Sequence, residues 1–403
     1  MTRPSKLEQT RNILQLYTHH VGTSEVPPEF PLWSAISLIA ACVSDRVWFS
    51  KFKSSKLHPN LYTFLLGPSG CGKGESVGMA LKYVENLPII GTYVGNTTAQ
   101  FMLKHLGRTS VDDYGNEVSN SKLFLVTEEL AMSVGSGPQA EDFVRHMTGL
   151  YKGGEYMFEK GTVTGGHTKI KGHCLNWLAG TTLEWAVKCI PRDCIEGGFL
   201  GRVAIVAGQY DTAKRIVRPR YPSDFEEIKD HLHERFEILT RLHGQFRMSR
   251  RAQLIEEQWY MQRPAPEDEA MLPTWRREHD LSLKLGMILA MSDIESADEE
   301  LVMRARHIEV GQQLVTACHK AAPQLQRAAA TTRDSETVEV VRRLLEKAGE
   351  IQRAALQRKL SPRGIHKDAM DAALATLTTE DCVRGKMIGR MTVYTYQKRK
   401  LSA

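Results

Sequence analysis

Apolar positions recur along the chain in two rhythms, and the changes between them divide it. Leu7, Ile13, Leu14 and Tyr17 fall at helical spacing, Pro27, Pro28 and Pro31 interrupt it, and residues 32–43 resume it. Residues 1–60 therefore read as an N-terminal helical domain. From residue 61 the pattern shifts to short apolar runs at 61–66, 89–94, 123–127, 175–179 and 203–207, separated by loops and helical stretches. Runs of that kind predict an α/β core over 61–215 with a mostly parallel five-stranded sheet. Residues 216–330 turn helical again, at 225–243, 281–291 and 307–321, with a charged, proline-bearing connection at 263–269 and no convincing strand. That segment reads as a helical lid, and 328–332 as a helix end or linker.

The last segment, 335–403, parses as a winged helix. Helices are expected at 336–347, 350–359 and 366–377, with Ser361-Pro362-Arg363-Gly364 as the turn before the third. Strand character at 382–384 and 392–396 flanks a turn between Gly385 and Gly389, as a β-wing requires. Arg363, His366, Lys367 and Met370 would then open the recognition helix, while Arg384, Lys386 and Arg390 decorate the wing. Winged helices also dock proteins, so the fold alone does not select DNA.

Composition narrows the class. With 403 residues, 42% hydrophobic and 25% charged, the chain is long enough for several cores and is neither disordered nor collagen-like. Its formal charge of +6 is unevenly placed: residues 335–403 hold fourteen Lys and Arg against eight Asp and Glu, which accounts for the whole excess. A basic tail on a neutral body points to nucleic acid, although a solvated basic surface has the same signature. The longest apolar stretch, 32–43, falls short of the roughly 20 residues of a membrane span, and no secretory apolar core opens the chain. Seven cysteines without a Cys-x-x-Cys pair argue for a reducing, cytoplasmic setting. His173, Cys174, Cys189 and Cys194 match no usual zinc spacing.

The sharpest chemical signal is Gly67-Pro68-Ser69-Gly70-Cys71-Gly72-Lys73-Gly74, which follows one apolar run and precedes a helical stretch opened by Glu75. Strand, glycine-rich loop, lysine and helix form a P-loop: backbone N–H groups turn in around phosphates, the helix N-terminus adds positive potential, and Lys73 neutralises the β and γ groups. The competing reading is a glycine-rich turn with an incidental lysine. ATP with Mg²⁺ is the expected ligand. One departure stands out: Gly74 occupies the place where Ser or Thr normally ligates Mg²⁺, so the metal falls to water and to acids elsewhere, or hydrolysis is slow.

Those acids are Glu128 and Glu129, at the end of the run 123–127. In P-loop ATPases the first acid holds the Mg²⁺ shell, and the second orients or deprotonates the attacking water. An acidic strand end that merely caps the next helix would look the same. The run 175–179 ends at Gly180-Thr181-Thr182, where a hydroxyl suits a γ-phosphate sensor; Thr181 with Glu184 also fits a capping box. Arg202, after Gly197-Gly198-Phe199-Leu200-Gly201, suits an arginine that stabilises transferred-phosphate charge from a neighbouring subunit, with Arg192 as its rival.

On these residues, together with Ser24-Glu25-Val26-Pro27 and Pro59-Asn60-Leu61-Tyr62, the chain resembles helicase-like P-loop ATPases of phages, plasmids and mobile elements over most of residues 1–330. The order of motifs is also similar to AAA+ minichromosome-maintenance and viral superfamily-three helicases. The resemblance implies a homo-oligomeric ring, a hexamer by preference, and a hairpin before the sensor strand that grips one DNA strand in the channel. Residues 156–171 supply a hairpin around Gly161–Gly166, with Lys160, His167, Lys169 and Lys171 as phosphate contacts. It also implies a second sensor arginine in the lid, for which Arg304 and Arg306 are the candidates. Gly74 and Glu128 depart from the family pattern.

Two functions therefore compete: an ATP-driven DNA helicase or translocase acting in replication of a mobile element, and an ATP-switched initiator or helicase loader. A small-molecule kinase, the third, fits poorly with paired acids and a basic tail.

Overall fold

The computed structural model describes residues 12–397, except 54, 86, 88–90, 96–97, 112–116, 120, 136–137, 154–157, 163–165, 192–193, 195–197, 380–381 and 390. The chain forms two compact units, Met1–Leu325 and Gln326–Ala403. The segments read as N-terminal domain and core, and the lid as far as Leu325, thus lie within a single unit.

At its centre are five strands: β1 (Tyr62–Leu66), β2 (Thr92–Val94), β3 (Lys122–Thr127), β4 (Cys174–Thr181) and β5 (Val203–Ala207). They pair in the order β5-β1-β4-β3-β2, and every pairing is parallel. The protein is a mixed α/β fold with an all-parallel five-stranded sheet. Every residue of β1 and β4 is buried, because a parallel sheet is covered on both faces and so reads as a nearly continuous apolar run. Alternation sends neighbours to opposite sides. Thr63 bonds Ser37 of the helix α2 (Glu29–Val43), Oγ to Oγ1 at 2.8 Å. Tyr62 turns the other way and donates its hydroxyl to Met147 O at 3.0 Å, on the helix Pro138–Leu150. On that second face Trp177 packs edge-on to Phe64 and Phe143, with centroids 4.8 and 5.6 Å away.

The helix α1 (Ile13–Val21) is capped by Asn12, whose side chain accepts from Leu14 N. It joins α2 in the core cluster that also takes Leu65, Phe124 and Leu178. Residues 1–60 are not wholly helical, contrary to the sequence expectation: Val47–Phe52 pairs antiparallel with Ser55–Leu57. The lid segment holds α4 (Phe225–Arg241), α5 (Leu272–Ser292) and α6 (Ala305–His319), plus a helix at Arg250–Gln262 that the pattern did not foretell. Two-residue strands Arg247–Met248 and Val302–Met303 pair there as well, where no strand was expected.

The helix Ala322–Ala348 begins in the first unit and continues into the second, so 328–332 lies inside a helix and is no helix end. Alanines there favour helix and no Gly or Pro interrupts it. Then follow the strand Glu350–Gln352, helices Arg353–Leu360 and Lys367–Thr379, and strands Val383–Ile388 and Met391–Tyr396. Residues 350–352, expected as helix, instead pair antiparallel with Met391–Tyr396, the central strand of a three-stranded sheet. Val341, Leu356, Leu360, Met370, Leu374 and Leu377 form a separate core. No described helix is long and apolar enough to cross a membrane, and all seven cysteines are buried and outside any disulfide.

Candidate functional site

The strand order places the glycine-rich loop at the carboxyl end of β1. The chain leaves there for the β2 edge, and β5 later returns on the opposite side of β1. A crevice beyond the carboxyl ends, where the strand order reverses, is where open α/β sheets hold ligands.

Residues 67–72 join β1 to the helix α3 (Lys73–Val84). Gly70 and Gly72 have φ of +80° and +82°, a region closed to most side chains. Gly72 is doubly constrained, since a β-carbon there would lie 2.4 Å from Val26 Cγ2. The Ser24–Pro27 segment is thereby placed against the loop, and Glu25 accepts from the Tyr210 hydroxyl at 2.5 Å and from Ile216 N at 2.6 Å. Pro68, Ser69 and Gly70 are exposed, Cys71 is buried, and Glu75 lies exposed in the first turn of α3. Lys73, only 7% exposed, donates to Gly67 O at 2.8 Å and Pro68 O at 2.7 Å. Its ammonium is curled into the loop by neutral carbonyls, an arrangement that leaves its charge for a phosphate.

The acids arrive from β3, with β4 between them and the loop. Register aligns Thr127 with Ala179, and Thr181 with Leu66. Gly180 makes this approach possible: a β-carbon on it would lie 2.5 Å from Glu128 O and 3.2 Å from Lys73 Cβ. Glu128 is exposed and faces the first turn of α3 at Gly74. Glu129 is half-buried, and its Oε1 is buried without a hydrogen-bond partner among the described residues. Burial raises its pKa above the ordinary carboxylate value, with Lys73 pulling the other way. In such an environment a carboxyl holds its proton to a higher pH than an exposed glutamate does.

These residues fit a nucleoside triphosphate with Mg²⁺. The loop N–H groups and Lys73 would hold the phosphates, and Glu128, whose Oε2 would lie 3.8 Å from a β-carbon on Gly74, would hold the metal shell. No cluster of three or more His, Cys, Asp or Glu able to hold a metal occurs among the described residues. Mg²⁺ commonly takes only one or two carboxylates beside the phosphates of its substrate.

Thr181 and Thr182 have separate tasks. Thr181 is buried, its carbonyl accepting from Gly67 N at 3.1 Å and its hydroxyl donating to Thr182 O at 3.1 Å. The proposed capping box is corrected here: Thr182, not Thr181, caps the helix Leu183–Cys189 by accepting from Trp185 N. The extra residue of β4 shifts the helix start by one position.

Arg202 directly precedes β5, whose first residue pairs with Tyr62 at the start of β1. It therefore lies at the opposite end of the sheet from the loop, roughly 17 Å along a five-residue strand. It does not serve the phosphate loop of its own chain. Its guanidinium donates to Gly198 O at 2.8 Å, and burial and the nearby Arg277 lower its pKa. Arg277 came to light only in the fold. Arg192 lies outside the described residues. Of the lid candidates, Arg306 pairs with Asp293, which also accepts from Asn12 and bonds His307; Arg304 holds the N-cap position of α6, its backbone N–H donating to His307 Nδ1 at 3.1 Å.

The expected hairpin is present as Phe158–Thr162 antiparallel to Gly166–Ile170, with Lys160 opposite Thr168 and Gly161 opposite His167. The side chains of Lys160 and His167 lie outside the described residues. Lys169 pairs with Glu159 across the strands at 3.3 Å, and Lys171 is exposed. In the second unit Arg363, His366, Lys367, Arg384 and Lys386 are all exposed. Met370 is wholly buried, so it belongs to the core and not to a recognition surface. Arg390 lies outside the described residues. Beside the basic positions, Met387, Ile388 and Met391 are at least half exposed, an apolar tip that charge counting overlooked.

No protein-family model matches this chain, and no curated protein matches it.

Proposed function

We propose that the chain is an ATP hydrolase acting on DNA, a helicase or translocase of the AAA+ kind that works as a ring, in replication of a phage or mobile element. The observation that carries this reading is the meeting of Lys73, Glu128 and Glu129 across Gly180. In this reading Lys73 and the loop N–H groups bind and neutralise the β and γ phosphates. Glu129 Oε1 takes the proton of the attacking water, and the buried Thr181 hydroxyl orients the reacting end. Mg²⁺, held by Glu128, supplies charge neutralisation on the phosphates.

Arg202, remote from its own loop, supports a site completed by a second copy of the chain, and a hexamer closes such head-to-tail contacts. The segment 216–330 serves as lid. The second unit, with three helices and a three-stranded antiparallel sheet, is read as a winged helix holding duplex DNA through Arg363, His366, Lys367, Arg384 and Lys386. Lys160, His167, Lys169 and Lys171 contact single-stranded DNA from the hairpin.

A second reading rests on Gly74: without a hydroxyl beside the acids, the same fold suits a slow ATP-switched initiator or loader. ATP turnover with and without single-stranded DNA, followed by strand displacement, tests both. Turnover unaffected by DNA removes the motor. DNA-stimulated turnover without displacement favours the initiator.

A further inference from the structure

At the amino ends of β1 and β5, away from the phosphate loop, lies a cavity of about 280 Å³ lined by Arg202, Arg277, Lys284, Lys51 and Tyr151, among others. Asp280 is the only carboxylate among its described lining residues, and its Oδ1 is engaged by Lys51 at 2.6 Å. Arg202 and Arg277 donate to the neutral carbonyls of Gly198 and Pro273, at 2.8 and 2.9 Å. Neither has an ion-pair partner among the described residues.

Beneath them Lys284, 2% exposed, donates to Asn60 O at 2.9 Å and Asn60 Oδ1 at 2.8 Å, and its ammonium lies 4.0 Å from the Tyr151 ring centre. Guanidiniums brought together beside a single carboxylate that a lysine already engages repel one another, and a bound dianion or polyanion relieves that repulsion with bidentate bonds.

We propose that this cavity is a second anion site, which binds a phosphate or condensed phosphate group between Arg202 and Arg277 with Lys284 as a buried supporting charge. It requires neither the phosphate loop nor hydrolysis. The same chemistry has two sources: the triphosphate of a nucleotide held by a second copy of the chain, or a free polyphosphate.

The site is also sensitive to pH. Burial lowers Lys284 to about 7, with Cys174 and Asp280 opposing the shift and Arg202 adding to it. Tyr151 and His58 lie near it as well, and Lys51, Lys56, Lys152 and Arg277 line the same cavity. Below pH 7 Lys284 is charged. As pH rises through 7 the cavity loses that charge, so its hold on an anion weakens.

The test uses full-length Lys73→Ala protein, in which the phosphate loop is disabled, titrated with pyrophosphate by calorimetry at pH 6.5. Saturable binding that falls at least tenfold in Lys73→Ala/Arg202→Ala and in Lys73→Ala/Arg277→Ala supports the site. Absence of binding in Lys73→Ala, or binding unchanged by both arginine variants, overturns it.

Sulfate, whose charge is constant from pH 6 to 8.5, reads the pH dependence. Affinity should fall several-fold over that range with Lys284 present and stay flat and high in Lys284→Arg, which keeps the charge. An equal fall in Lys284→Arg would overturn the role of Lys284.

To assign the source, Lys73→Ala protein is added to wild-type protein loaded with ATP. Slower nucleotide release that depends on Arg202 and Arg277 of the added chain assigns the anion to a neighbour's nucleotide; unchanged release assigns it to a free polyphosphate.

Discussion

The first turn of α3 faces the acid pair: a β-carbon built on Gly74 would sit 3.8 Å from Glu128 Oε2. That is ordinary van der Waals contact, and the backbone of Gly74 is not in the left-handed region. The glycine is therefore not enforced by packing. Gly74→Ser should fold and, by offering a hydroxyl opposite Glu128, raise both Mg²⁺ affinity and ATP turnover. Gly74→Ala separates the effects, since it should stabilise the helix by about 0.5–1 kcal/mol without raising turnover. Equal turnover in wild type and Gly74→Ser, at saturating and limiting Mg²⁺, would contradict the placement of the metal.

Lys73→Ala removes the buried cation of the loop. Nucleotide binding, followed by fluorescence of a labelled analogue, should drop by at least tenfold, and turnover should vanish. Undiminished ATPase activity in the purified variant would falsify the phosphate-loop assignment.

Glu129 makes a prediction in pH. A base works only when deprotonated, and burial holds this carboxyl above the ordinary value. Turnover should thus fall on the acid side at a pH higher than an exposed glutamate would give. Glu129→Gln should still bind ATP while losing roughly 10²- to 10⁴-fold in turnover, the usual contribution of a positioned base. If Glu128→Gln alone stops turnover, the roles of the two acids are reversed.

How far the sequence revealed these features depended on what each segment buries. Four of the five sheet strands were legible because β1, β3, β4 and β5 are almost wholly buried and leave mostly apolar runs. The helix Arg250–Gln262 was not, since Ala252 is its only fully buried residue and no apolar stripe marks it; Ser249 accepting from Ala252 N was the available signal. Val47–Phe52 escaped for a similar reason, with one buried position in six. The glycine-rich loop and the two acids stood out through local composition, and the fold brings them together across Gly180. Arg277 and Lys284 did not, because only the packing of α5 brings them to Arg202 and Asn60, far away in sequence.

The second unit should bind duplex DNA through charge. Alanine at Arg363, Lys367, Arg384 and Lys386 together should flatten the dependence of log affinity on log salt by about 0.9 for each phosphate that is no longer neutralised. All four are exposed, so folding should be unaffected, as circular dichroism would verify. An unchanged salt slope would turn the unit into a docking module, for which the apolar tip at Met387, Ile388 and Met391 is the natural surface.

Arg202 tests chemistry and assembly together. It stands at the far end of the sheet from its own Lys73, so it contributes nothing to the pocket of its own chain. Arg202→Ala should still bind ATP yet hydrolyse it roughly 10³-fold or more slowly, if the guanidinium stabilises charge on the transferred phosphoryl group. Lys73→Ala is inactive for the opposite reason: it keeps the arginine and loses the loop. Mixing the two should recover activity at interfaces that pair an intact loop with an intact arginine. Exchange of subunits is verified first, by energy transfer between labelled chains. With exchange established, full activity of Arg202→Ala alone would exclude the role, and a mixture that exchanges without recovery would show that the arginine does not act across the interface.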